Sequence, residues 1–176
     1  MDGLILIDKP ENITSFGAVA KIRKLVCQKR VGHTGTLDPM ATGVLPILIG
    51  RATSLSPFLL ESDKIYTAKI KFGLKTDSFD ITGNITYKVD EETLKNINVQ
   101  EILKALKHFT GAIKQTPPMF SALKKNGVPL YKLARQGKSL ELEKRDIFIH
   151  YIKLLKFDET NKECLAEVKA SKGTYI

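Results

Sequence analysis

The stretch IYTAKIKF at 65–72 alternates cleanly from Tyr66 onward, placing Tyr66, Ala68, Ile70 and Phe72 on one face of a strand. Thr67, Lys69 and Lys71 fall on the other face, so the strand is half-buried and needs paired neighbours. NITYKV at 84–89, DIFIHYIKLLKF at 146–157 and ECLAEVKA at 163–170 read as such neighbours, the last two joined by the turn DETNK. GLKTDSFDITG, at 73–83, reads as a long polar loop. Nearer the N-terminus, LILID at 4–8 and VLPILIG at 44–50 are short buried strands, with Pro46 making the second an edge or irregular one.

Helices are fewer. Thr14 or Ser15 caps one whose apolar positions Phe16, Val19, Ile22 and Val26 share a face. ATSLSPFLLES at 52–62 is a short helical piece. Asn98 and Glu101 form a capping box that opens a helix through Val99, Ile102, Leu103 and Leu106, which Gly111 can close. After an extended double-proline entry at QTPP and a tight turn at KKNG, Pro129 begins a short helix that Gly137 stops. Strands outnumber helices and adjoin one another in the second half. The expected architecture is α+β, a mixed and largely antiparallel sheet with flanking helices, in one domain over 1–176.

Several function classes fall away. The longest apolar run is far too short to span a bilayer, and the N-terminus has an acid at Asp2 and no cleavage-like site, so a cytoplasmic protein is expected. Cys27 and Cys164 lie far apart without metal-ligand spacing and read as reduced, structural thiols. His33, His108 and His150 are scattered, which argues against a metal, and His108 and His150 read as structural. P-loop, GxGxxG and GxSxG patterns are absent, so no cofactor is indicated. The net charge is +9, and between Glu11 and Asp38 the chain carries no acid but five cations: Lys21, Arg23, Lys24, Lys29 and Arg30. Such a patch suits a phosphate backbone, or else is a solubilising face that binds nothing.

The remaining reactive group is a lone carboxylate. Asp38 sits in GHTGTLDPMATG, residues 32–43, where Pro39 disfavours helical dihedrals at Asp38 and the backbone aims its side chain. Carboxylates act as bases or nucleophiles, including at anomeric carbons, whereas glycoside hydrolysis normally takes two. One carboxylate beside a basic surface suggests chemistry on a nucleoside without an activated water; the competing role is an ordinary Asp-Pro turn.

RVGHTGTLDPMATGVLPILIGRAT at 30–53 resembles the active-site motif of the TruB family of tRNA pseudouridine synthases, which isomerise uridine 55 in the T loop. LILIDKPENITSF, SDKIYTAKIKFGLKTDSFDITG, QTPPMFSALKKNGVPLYKLARQG and ASKGTYI match further family stretches in order, so the resemblance spans the chain. It implies that Asp38 is the catalytic aspartate, acting at the ribose as nucleophile or base. At the ordinary carboxylate pKa of about 4 it is ionised, as either role requires. The resemblance further implies that Tyr66 stacks on the uracil and that His33 helps displace the target nucleotide, which must leave its stack to be reached. Asp80, Lys9, Lys172 and Tyr175 are implied to contact substrate, turn capping and surface pairing being the competing roles of Asp80 and Lys9. The implied partner is the T stem-loop of tRNA, bound by a monomer without metal or membrane. A non-catalytic RNA-binding or tRNA-folding module is the alternative.

Two departures from the family pattern stand out. Asn12 occupies a position where glycine is usual, and asparagine tolerates the left-handed conformation such a turn needs. In the family, SKGTYI is followed by an arginine that pairs with the catalytic aspartate and by a C-terminal RNA-binding region. This chain stops at Ile176, within what reads as a strand. The expectation is an incomplete catalytic domain, weakly active or inactive as written.

Overall fold

The computed structural model describes residues 1–138 and 140–176, which divide into two compact units, Met1–Ser62 and Asp63–Ile176. The first contains β1 (Gly3–Lys9), α1 (Ser15–Leu25), β2 (Val31–His33), β3 (Gly43–Ile49), a 3₁₀ turn (Gly50–Leu55) and α2 (Ser56–Leu60). Its three strands form an antiparallel sheet in the order β1-β3-β2. Leu45, Ile47, Ile49 and Val31 project from one face of that sheet onto Ala18 and Val19 of α1. Each such buried aliphatic side chain is worth about 1.5–3 kcal/mol relative to exposure.

Two expectations change here. Thr14 caps α1, its hydroxyl accepting from the Gly17 amide at 2.9 Å, but Phe16 is 64% exposed and not part of the inward face. The inward positions are Ser15, Ala18, Val19, Ile22 and Val26. Ser15 takes the first because it bonds to another segment, and Phe16, one residue on, is turned away by about 100°. The second change concerns Pro46, which lies in the central strand and not at an edge. Its carbonyl accepts from Thr34 at 3.2 Å, so its nitrogen faces the β2 side, where the β2 register ends at the His33–Ile47 pair. The missing N–H therefore costs no bond to β1.

The second unit contains β4 (Lys64–Lys71), β5 (Leu74–Thr76), β6 (Ile85–Lys88), α3 (Glu91–Lys95), α4 (Val99–His108), β7 (Gly111–Gln115), β8 (Lys124–Lys125), β9 (Val128–Pro129), α5 (Leu130–Ala134), β10 (Arg145–Asp158) and β11 (Glu163–Ala170). Four strands form a sheet in the order β4-β11-β10-β7, cored by Ile147, Ile149, Val168 and Ala170 with Ile113 and Ile152 against them. The alternation in β4 appears as predicted, with Tyr66, Ala68 and Ile70 on its more buried face. Every strand pair among the described residues is antiparallel, within the expected α+β class.

The segment read as a polar loop holds β5, which pairs with β6 as a hairpin. Asn98 caps α4 through the Glu101 amide as expected, but the helix closes at Phe109; Gly111, with φ 97°, instead opens β7. The strand β11 ends at Ala170, so SKGTYI is not strand. Cys164 is buried, which pushes its thiol pKa up, whereas Cys27 is exposed just past α1 at φ 50° and supports no core. His150 pairs with Asp63 at 2.8 Å and lies edge-on to Phe148, a structural arrangement, and His108 ends α4. No helix among the described residues is long and apolar enough to cross a membrane.

Candidate active site

Asp38 is exposed and opens a tight turn in which the Ala41 amide donates to its carbonyl at 3.0 Å, with Pro39 pre-set at the second position. Both neighbours of Asp38 are tied down. On the N-terminal side, the Leu37 amide donates to Ser15 Oγ at 2.9 Å and Ser15 Oγ donates to the Leu37 carbonyl at 3.1 Å. Ser15 is 2% exposed, so water does not compete for these bonds. On the C-terminal side, the Pro39 carbonyl accepts from the Asn12 amide at 2.8 Å and from Lys9 Nζ at 3.3 Å.

Lys9 overturns its expected role. It is 0% exposed, and its ammonium also donates to the carbonyls of Pro10 at 2.9 Å and Ile13 at 2.8 Å. Three donors meet three backbone acceptors, which is all an ammonium can offer. Lys9 therefore neither contacts substrate nor pairs on the surface; it pins the 10–13 turn and the Asp38 turn together. Asn12 holds that first turn at φ 62°, the left-handed conformation that the substitution of glycine by asparagine preserves.

His33 is half-buried at the end of β2, with Nδ1 2.6 Å from the Gly35 carbonyl. A carbonyl only accepts, so Nδ1 carries the proton and Nε2 is left to meet other groups. The basic patch divides. Lys21, Lys24 and Lys29 are exposed, and Arg30 is exposed while donating from Nε to Thr53 at 2.6 Å. Arg23 instead donates to the Val31 carbonyl at 2.9 Å and packs 5.6 Å from the Phe16 ring centroid. Its Nε is buried, so Arg23 braces α1 against β2 and is the least exposed cation of the patch.

The other candidates lie in the second unit. Tyr66 is half-buried on β4, paired in register with Val168 of β11. Asp80 organises its own loop: Oδ1 accepts from Ser78 Oγ at 2.8 Å, the Thr82 amide at 2.8 Å and Thr82 Oγ1 at 2.6 Å. Burial alone would raise the Asp80 pKa, but the bonds from Thr82 and Ser78 outweigh it and hold the carboxyl below its ordinary value. Turn capping is thus the role the geometry displays for Asp80. The loop borders a cleft of about 270 Å³ lined by Asp77, Ser78, Asp80, Thr82, Gly83, Asn84, Phe120 and Arg135. Tyr175 is held by its backbone, its amide donating to Gln115 Oε1 at 2.9 Å and its carbonyl accepting from Gln115 Nε2 at 2.7 Å, while Lys172 is exposed.

Sequence reasoning reaches Ser15 only as a possible cap and misses Gln115. Both act through partners far along the chain, 22 and 60 residues away, so no local spacing signals them. Among the described residues, no group of three or more His, Cys, Asp or Glu side chains is arranged to hold a metal ion. The geometry offers one carboxylate on an immobilised turn, a histidine with one open nitrogen and a cationic surface.

Known proteins match the chain along its whole length. It is 47% identical over 176 residues to the tRNA pseudouridine synthase B of Francisella philomiragia subsp. philomiragia, covering 100% of this chain and 57% of that protein. It is 46% identical to the tRNA pseudouridine synthase B of Clostridium perfringens strain 13, of which it covers 58%. The chain thus spans little more than half the length of these curated relatives. Among solved structures, a chain of the Cbf5-Nop10-Gar1 complex superposes with a TM-score of 0.66 at 30% identity, covering 99% of this chain and 41% of that one. A chain of an H/ACA RNP bound to a substrate RNA containing 2'-deoxyuridine gives 0.63 at 25% identity, covering 98% and 39%. The family described as TruB family pseudouridylate synthase, N-terminal domain, matches residues 23–176, and the chain belongs to that family.

Proposed function

We propose that the protein containing this chain converts a uridine of the tRNA T loop, uridine 55, to pseudouridine, with Asp38 as its catalytic carboxylate. The reaction is an isomerisation. The bond from N1 of the uracil to C1′ of the ribose breaks, a bond from C5 to C1′ forms, and the C5 proton is lost as N1 gains one. No water is consumed, so a single carboxylate suffices, attacking C1′ or removing a ribose proton. The observation that carries this reading is the fastening of the Asp38 turn on both flanks, by Ser15 at Leu37 and by Lys9 and Asn12 at Pro39. A carboxylate that must meet one sugar carbon gains from such pre-set orientation.

In this reading His33 helps extrude the nucleotide, at a cost of a few kcal/mol, and Tyr66 stacks on the uracil, returning about 1–3 kcal/mol. Lys21, Lys24, Lys29 and Arg30 take RNA phosphates, and Lys172 and Tyr175 act at the substrate. Both units belong to one catalytic portion, in keeping with a family match that runs across the boundary between them. The protein acts as a monomer on tRNA in the cytoplasm. The names of its relatives and its basic surface support an RNA substrate. Asp38→Asn in the full-length gene product tests the reading: pseudouridine formation is lost while a T-loop RNA still binds. A variant that goes on isomerising uridine overturns the assignment and leaves a binding or folding role.

A further inference from the structure

The β5–β6 hairpin exposes rings where a small two-stranded ribbon would gain most from hiding them. Phe79 is 69% exposed and Tyr87 is 60% exposed, and Ile81 and Ile85 beside them are also in solvent. Phe79 is moreover held at φ 64°, a left-handed conformation that a bulky side chain disfavours. The loop that holds it is rigid. Asp77 accepts from the Asn84 amide at 2.9 Å and from its side chain at 3.1 Å, Asp80 accepts from Ser78 and Thr82, and Thr76 Oγ1 donates to the Asp80 carbonyl at 2.7 Å. A Cβ on Gly83 would meet Ser78 and Asp77 side-chain atoms, so the turn has no slack.

The two rings flank a cation. Lys75 lies directly across the ladder from Tyr87, which puts both side chains on one face of the hairpin, and its Nζ is 6.0 Å from the Phe79 ring centroid. No carboxylate forms a salt bridge with Lys75 among the described residues. Two exposed rings beside a cation are what a single strand of nucleic acid stacks on, each ring taking a base and the ammonium a phosphate. We infer that this face of the hairpin is a platform for unpaired nucleotides of the RNA substrate outside the target uridine. The inference rests on the RNA reading above, and it adds a surface that the chemistry at Asp38 does not use.

The test uses the full chain and a short single-stranded RNA bearing one 2-aminopurine, with affinity read by anisotropy and stacking by fluorescence quenching. Phe79→Leu and Tyr87→Leu keep apolar bulk but lose the flat ring, and each is expected to weaken binding about tenfold and to reduce quenching. Tyr87 lies on β6, outside the turn that holds Phe79, so its variant gives an answer even if Phe79→Leu disturbs that turn. Lys75→Gln is expected to flatten the salt dependence by about 0.7 log unit, one phosphate on a single strand. Failure of the wild-type chain to bind this RNA, or wild-type affinity in both leucine variants, overturns the platform and marks the patch as an aliphatic docking surface. Asp38→Asn should bind the same RNA as wild type does, so loss of the platform and loss of the isomerase reading register in separate experiments.

Discussion

Ser15 and Leu37 exchange a pair of hydrogen bonds across 22 residues of chain, the serine hydroxyl serving the leucine backbone as both acceptor and donor. The hydroxyl that the sequence offers as a helix cap is spent instead on the residue before Asp38, while Thr14 does the capping. Ser15→Ala leaves a backbone amide and a carbonyl without partners in a site closed to water. The expected cost is about 1–3 kcal/mol, seen as a lower urea midpoint at unchanged slope. Because the change loosens the direction of Asp38 and not the RNA surface, turnover at saturating RNA falls while RNA affinity holds.

The buried ammonium of Lys9 makes a harsher prediction. Lys9→Met preserves length and removes the donor, stranding the carbonyls of Pro10, Ile13 and Pro39 together. Charge-assisted bonds of this kind are worth about 1.5–3 kcal/mol each, so destabilisation exceeds that of Ser15→Ala in the same urea titration. Lys9→Arg does not rescue, since a planar guanidinium cannot aim at three carbonyls converging on one point. An arginine variant with wild-type stability would show that the three contacts carry no weight.

How far the sequence could be read follows from the range of each interaction. The alternation in β4, the Asn98 cap and the Asp38 turn are local, encoded within a few residues, and all three appear. Pro46 and Phe16 depart from the local pattern because their outcome depends on partners elsewhere: a short β2 that stops where proline would fail it, and a serine recruited inward by Leu37. Lys9 and Arg23 look like surface cations until the fold supplies backbone carbonyls for them. The roles proposed for Asp38 and Tyr66 rest on family resemblance, since a lone carboxylate and one strand tyrosine carry no chemistry in their spacing.

Asn12 provides a backbone test. At φ 62° glycine and asparagine are both comfortable, and alanine is not. Asn12→Gly should change the thermal midpoint little, while Asn12→Ala costs about 1 kcal/mol, a few degrees for a domain of this size. Because the Asn12 amide also holds the Pro39 carbonyl, the alanine variant should speed hydrogen exchange at the Ala41 amide in the Asp38 turn.

The divided basic patch predicts two different responses to mutation. If Lys21, Lys24 and Lys29 take RNA phosphates as proposed, replacing any one with glutamine lowers the slope of log affinity against log salt by about 0.7–0.9 without affecting stability. Arg23→Gln leaves the slope alone and lowers stability, because its guanidinium bonds to Val31 and covers Phe16. A reduced slope for Arg23→Gln would return that residue to the RNA surface.

Asp80 sets a pH dependence whose sign can be worked through. Its carboxyl is held below the ordinary value of about 4 because Thr82 and Ser78 donate to it more than burial penalises its charge. A group with a lowered folded pKa binds protons more readily when unfolded, so stability rises with pH through that window. The contribution is complete above the ordinary carboxylate value and is lost as pH falls through the folded one. Asp80→Asn should therefore be less stable than wild type at neutral pH, and the two should converge as pH drops below about 4. Asp90 and Asp158 are lowered in the same way, each by bonds within its own turn, so acid weakens both proteins. The difference between the two stability curves, measured by urea unfolding at each pH, isolates Asp80. A difference that stays constant down the acid limb would mean that the loop draws its order from geometry alone and not from the charge.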